Sequence, residues 1–289
     1  MLIVNQLLNG LNASAILLLT SLGIVVIMGN MGIVNLAHGE CIMLGAYVCY
    51  FFVTVLGLPF ILAIPIAFVI LGLVGMIVNR VMISKLMAKS GGGEAETLLA
   101  TYGLSLILKQ GTKLIFGANI QYVENPFSGV ANIGNVSIPI YNIVVIIVSL
   151  LVLLLTWFVF FKTSFGRQMR ATTGNRTMTE CLGINTSKVD TLTFGYGFAL
   201  AGVAGVMIAP IVGVTPFLGE KYLTNAFMNV IVGGLNSLVG TGLSSALIGE
   251  SITVLSGFSD EVSAKLIIFL IVIVLIRFKP EGLFTKERR

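Results

Sequence analysis

Five stretches of this sequence, 1–39, 41–79, 125–161, 191–219 and 222–249, contain no aspartate, glutamate, lysine or arginine. A water-soluble fold with such long charge-free runs could not clothe its surface. A bilayer-spanning helix needs about 20 apolar residues, so each run is long enough for at least one crossing. Composition agrees: of 289 residues 56% are hydrophobic and 10% charged, with a mean hydropathy of +1.02. An ordinary soluble domain carries about 25% charged residues. A soluble enzyme, a nucleic-acid binder and a secreted disulfide scaffold are excluded, and a multi-pass membrane protein is implied.

The run 41–79 divides at Gly57-Leu58-Pro59, and the apolar segments predict helices over 7–28, 41–57, 60–79, 96–116, 141–161, 191–214 and 262–277. Segment 222–257 contains Gly233, Gly234, Gly240, Gly242 and Gly249, which favour a broken or re-entrant hairpin over one rod. The expected fold class is all-α, a transmembrane helical bundle of about seven full spans plus that hairpin, in one membrane domain over 1–289. Of 17 basic residues, 13 fall in loop 80–95, segment 162–190 and the tail from Arg277, while the opposite loops hold Lys221. Lysine and arginine collect on the cytoplasmic side. The expected topology therefore puts the N-terminus outside and the C-terminus in the cytoplasm. The net charge of +5 then reports topology and calls for no nucleic-acid partner. The first segment has no basic leader and is read as structure. Cys41, Cys49 and Cys181 lack metal-site spacing, and one histidine cannot make a multi-histidine centre, so neither metal nor cofactor is expected.

Against this apolar background the polar residues stand out. Gly29–Glu40 packs three glycines, two asparagines, His38 and Glu40 into twelve residues. Such backbone is tolerated at membrane depth only where protein or a watery cavity surrounds it. Either it is a discontinuous helix on a transport path, with Asn35, His38 and Glu40 as polar contacts, or a cytoplasmic turn. Thr97, Thr101 and Ser105 recur every four residues along 96–116, and Lys109 continues the row. That face lines a pathway or packs inside the bundle; Lys109 and Lys113 are expected to snorkel outward. Asn5, Asn9 and Asn12 share a face near the start. Gly197, Ala201, Gly205, Ala209 and Gly213 form a small-residue seam for close helix packing. Glu250 reads as a buried hydrogen-bonding partner or a pathway acid.

The segment 162–190 begins with basic Phe165–Arg170, breaks at Gly174-Asn175, and continues with Thr177 and Glu180 at capping-box spacing and Gly183 as a C-cap. Two short helices against the cytoplasmic face are predicted. A lipid-bound surface helix and a docking knob are both compatible with this composition.

Several segments together resemble a known family. Met31–Glu40 followed by Met43–Tyr47 is similar to the signature of the branched-chain amino-acid and urea class of ABC-transporter permeases. Glu96–Leu108, Gly174–Arg176 and Cys181–Ile184 resemble the urea branch, although Tyr102 stands where that branch carries tryptophan and Gly91–Gly93 makes a looser loop. Leu192–Phe194, Leu200–Gly202, Gly233-Gly234 and Lys279–Phe284 extend the likeness along nearly the whole chain.

The resemblance implies a urea importer subunit of the bacterial cytoplasmic membrane. It would pair with a second homologous permease, two cytoplasmic ATPase subunits and an extracytoplasmic substrate-binding protein, within membrane lipid. It also implies that 165–184 docks the ATPase, through Gly166, Arg167, Arg170, Asn175, Arg176, Glu180 and Gly183. The sequence contains no G-x-x-x-x-G-K-[ST] loop, so ATP hydrolysis must come from another chain. A polar, nearly uncharged path suits a small neutral solute such as urea. The alternatives are an amino-acid permease of the same class and a stand-alone urea channel. An intramembrane enzyme finds no supporting motif.

Overall fold

The structure is a computed structural model that describes residues 2–89, 94–133, 136–279 and 282–284. Gly91–Gly93, Pro280, Glu281, Lys286, Arg288 and Arg289 lie outside the described residues, as do the side chains of Asn5 and Lys89.

α1 (Leu2–Met31) uses most of the first charge-free run and stops at Gly32, whose φ of +67° only glycine adopts freely. The chain then turns back through 32–37 into α2 (His38–Cys49), which continues as a π-helical turn over Tyr50–Val55. Pro59 precedes α3 (Phe60–Val78), and a second π-helical stretch, Asn79–Ile83, carries it into α4 (Ser84–Lys89). Next come α5 (Glu94–Phe116) and a small antiparallel hairpin, β1 (Val130–Ile133) with β2 (Val136–Pro139), pairing Val130 with Pro139. That hairpin is not among the expected elements, although the Gly134-Asn135 pair between the two runs is a two-residue hairpin signal. α6 (Ile140–Lys162) leads into the short α7 (Ser164–Gly174) and α8 (Arg176–Cys181). α9 (Thr186–Val212), α10 (Leu218–Gly233), α11 (Leu238–Ser256) and α12 (Glu261–Phe278) complete the bundle.

The chain is an all-α membrane bundle, and six of its helical stretches are long and apolar enough to cross a bilayer. They are Gln6–Met31, His38–Val55, Phe60–Met87, Ile140–Lys162, Thr186–Val212 and Leu238–Ser256. The sequence suggested about seven, counting α5 and α12. Those two fall short in composition rather than length: α5 carries Lys109 and Lys113, and α12 carries Glu261, Lys265 and Arg277. The expected hairpin is unequal. α11 is full length, whereas the 16 residues of α10 reach about 24 Å, less than the roughly 30 Å hydrocarbon core.

α9 is the hub, packed on α1, α2 and α3 and buried along most of its length. Its small residues are the reason. A Cβ on Gly205 would lie 1.9 Å from the carbonyl oxygen of Ile42, and one on Gly197 would lie 2.9 Å from that of Gly23. Gly202 and Gly195 bring α3 close from another side, with Ala67 O and Gly72 O at 3.2 and 2.9 Å from such a carbon. Gly213 departs from the expected seam: it follows the helix as its C-cap, with φ +73°.

Several helix starts are capped by side chains, whereas α3 and α6 begin after Pro59 and Pro139 without one. Asn175, Asn185, Ser237 and Asp260 accept from the backbone of α8, α9, α11 and α12. The Thr177–Glu180 capping box expected from spacing is corrected: Asn175 Oδ1 takes the Met178 amide at 2.9 Å, so Thr177 lies inside the helix. At the exposed turn before α12, hydrogen bonds from Ser263 hold the Asp260 carboxyl below its ordinary range.

Candidate functional site: the junction of two broken helices

Two helices begin inside the bundle instead of at its ends. His38, the first residue of α2, places Nε2 3.2 Å from the carbonyl oxygen of Thr20, and its ring lies against Gly23. Gly23 precedes the end of α1 by eight residues, a depth of about 12 Å. The segment 32–37 is therefore no surface turn. α10 starts at the same depth, since Cβ atoms on Gly39 and Gly219 would lie 2.6 and 2.3 Å from each other's carbonyl oxygens. At its far end Leu235 meets Gly29 near the end of α1.

Neither N-terminus is closed by a capping side chain. Each has a glutamate in its first turn, Glu40 on α2 and Glu220 on α10. α5 supplies the third wall. Ser105 Oγ donates to Glu40 Oε1 at 3.1 Å, and Lys109 pairs with Glu220 while its ammonium sits 5.8 Å from the Phe217 ring centroid. Glu40 is 2% exposed, yet its Oε2 has no hydrogen-bond partner; the same holds for Asn35 Nδ2, His38 Nδ1 and Tyr47 OH. Four unsatisfied buried polar atoms between 35 and 47 are costly in an apolar bundle and mark this segment apart. Glu220 and Phe217 are exposed, so the junction opens on one flank of the chain.

The sequence-derived path residues meet here only in part. Glu40 and Ser105 border the junction, whereas His38 points away toward α1 and Asn35 turns its Oδ1 back to accept from the Ala37 amide. Thr101 is committed to structure: its hydroxyl accepts from the Leu36 amide at 3.2 Å and donates to Leu98 O at 3.0 Å. Thr97 is buried one turn earlier, on the same face. Thr101→Val should leave the Leu36 amide unpaired and destabilise the chain by about 1–3 kcal/mol. An unchanged melting midpoint in detergent would refute that hydrogen bond. Lys109, expected to snorkel, instead pairs with Glu220, so the junction carries more charge than the sequence suggested.

Among the α7–α8 residues, Arg167, Asn175, Arg176, Met178, Glu180, Leu182 and Gly183 are exposed, although Arg176 and Glu180 also carry bonds to α9. Gly166 is packed against the end of α6, where a Cβ would strike Phe160 O. Arg170 folds back to donate to Phe160 O and stack over Phe161, and Arg176 and Glu180 turn toward α9.

Sequence reasoning missed a buried cluster at the α1–α10–α11 contact. Asn229 Nδ2 donates to Ser21 Oγ at 2.9 Å, and Ser244 Oγ donates to Asn229 Oδ1 at 2.6 Å. An asparagine at membrane depth was the available signal. Glu250 lies against Gly10, and its Oε2 has no hydrogen-bond partner. A separate cleft of about 510 Å³ between α1, α10, α11 and α12 carries Lys221, Asp260, Glu261 and Lys265 at its rim.

A family model described as branched-chain amino acid transport system / permease component matches residues 6–277. The chain belongs to this family. The high-affinity branched-chain amino acid transport system permease protein BraD of Pseudomonas aeruginosa is 27% identical over 97% of this chain and 95% of its own length. LivH of Escherichia coli, of the same description, is 27% identical over 97% and 95%. The ribose import permease protein RbsC of Haemophilus influenzae is 24% identical over 86% and 75%. The permease is thus a multi-pass protein of the cytoplasmic membrane and a transport subunit of the ABC type. Importers of this family work with ATPase and substrate-binding partners.

Proposed function

We propose that this permease passes a branched-chain or similar small amino acid through the junction of α2, α5 and α10. The observation that carries the reading is the charge gathered there: Lys109, Glu220 and Glu40 beside two uncapped helix N-termini. Helix N-termini carry positive partial charge and suit a carboxylate, and the two glutamates suit an ammonium. A zwitterion presents both. The names of the relatives BraD and LivH point the same way.

The second reading is urea, supported by the resemblance of Glu96–Leu108 and Gly174–Arg176 to urea permeases. A neutral solute gains less from the charged junction, which is why it comes second. In a strain lacking this chain, uptake of labelled leucine should fall at least tenfold while labelled urea uptake stays within twofold. The reverse pattern would overturn the first reading and support the second.

Positive-inside asymmetry supports a topology with the N-terminus outside and the α7–α8 end in the cytoplasm. The exposed flank bearing Phe217 and Glu220 then faces a second homologous permease, and two ATPases dock on α7–α8. Arg167, Met178 and Leu182 are the residues offered outward for that contact. A binding protein delivers the solute to the opposite face.

A further inference from the structure

The α7–α8 knob is tied to the bundle by two polar clasps, both reaching the first turns of α9. In one, Thr173 Oγ1 of α7 donates to Asn30 Oδ1 at 2.9 Å, and Asn30 Nδ2 donates to Thr193 Oγ1 at 3.3 Å. In the other, Arg176 Nη2 of α8 meets Asp190 Oδ2 at 2.5 Å, and Thr186 Oγ1 donates to Glu180 Oε1 at 2.5 Å. Asp190 is 3% exposed. A carboxylate at that depth needs a charged partner, and Arg176 supplies it from the knob.

Beyond Asp190, α9 packs through its small residues on both side chains and backbone of its neighbours. Seven residues on, Gly197 touches Gly23 and Ile27, and Gly23 touches the His38 ring. Two turns further, Gly205 abuts Ile42 O and the Ala46 amide of α2. Contacts of backbone on backbone cannot absorb a displacement by side-chain rearrangement. A shift of α9 must therefore move α2, and with it Glu40 at the junction.

We propose that Arg176 and Asp190 are positioning residues that carry movement of the docked knob through α9 to the α2–α5–α10 junction. This rests on the reading of α7–α8 as the ATPase dock. It reassigns Arg176 from ATPase contact to transmission within the permease. The guanidinium that the family resemblance gave to the partner is spent on Asp190.

The two readings separate in one experiment on the assembled, reconstituted transporter. The chain carries Ser105→Cys as a reporter at the junction, with exposed Cys181→Ser to remove background, and is probed with a water-soluble maleimide. Addition of ATP should change the labelling rate at position 105 at least fivefold. Asp190→Asn and Arg176→Gln should each abolish that response while ATPase co-purification and ATP hydrolysis stay within twofold of the parent. Arg176→Gln sits on a half-exposed side chain and decides the matter if Asp190→Asn fails to accumulate. A full ATP response in these variants overturns the proposal, as does a parent complex that hydrolyses ATP with no change at position 105. Failure of the parent chain to retain ATPases, or their retention after Arg167→Glu with Leu182→Glu, instead overturns the docking reading.

Discussion

Gly205→Leu is expected to cut the amount of folded permease in the membrane to under a tenth of the parent. The Cβ of any residue at 205 would sit 1.9 Å from the carbonyl oxygen of Ile42 and 2.7 Å from the amide of Ala46. Those are backbone atoms of α2, so no rotamer change relieves the clash. Ordinary overpacking costs about 1–3 kcal/mol, and here a whole helix must move off the hub that also holds α1 and α3. The control is Gly111→Ala on α5, where nothing lies within 4 Å of the added carbon. There alanine gains roughly 1 kcal/mol of helix propensity over glycine and should leave the yield unchanged. Size-exclusion profiles of a fluorescent fusion in mild detergent read both variants, and a normal Gly205→Leu peak would refute the close approach.

The second large effect is functional. Arg167→Glu combined with Leu182→Glu should abolish ATPase co-purification, at least tenfold, without changing membrane insertion. Arg167 lies on the solvent face of α7, and Leu182, 74% exposed, follows α8 beside exposed Met178. An exposed apolar tip is an anchor a partner can bury, and a carboxylate in its place would be desolvated without a partner. Arg170→Glu is expected to act differently. Its guanidinium holds Phe160 O and the Phe161 ring, so that substitution should loosen α7 and lower the yield. Equal ATPase retention in the double variant and the parent would refute the docking surface.

Bundle class and helix placement were legible in the sequence because a bilayer makes one demand of every span. Runs without charge, punctuated by Gly57 and Pro59, Gly174 and Asn175, or Gly233 and Gly234, mark where helices run and break. Hydroxyls at four-residue spacing marked the inward face of α5 for the same reason. What each polar group does there was not legible. Thr101 spends its hydroxyl on the Leu36 amide, 65 residues away, and Lys109 finds Glu220 across 111. Asn229 reaches Ser21 across 208. Helical periodicity says which face a residue occupies but nothing about what another helix brings opposite it.

The depth of α2 shows the same division. Sequence composition established that Gly29–Glu40 could not be an ordinary lipid-facing helix, and it left a surface turn and a buried break equally open. The tertiary structure decided between them, because Gly23, Gly197, Gly39 and Gly219 let four backbones approach closely enough to hold both helix starts inside the bundle. The sequence by itself determined a membrane permease with a basic, knob-bearing end. Only the packing decided that Arg170 bonds back to α6, that Arg176 pairs with Asp190 of α9, and that Glu40, Ser105, Lys109 and Glu220 share one junction. The physical reason is that solvation by lipid acts on each segment locally, whereas pairing of polar groups depends on which segments the glycine contacts bring together.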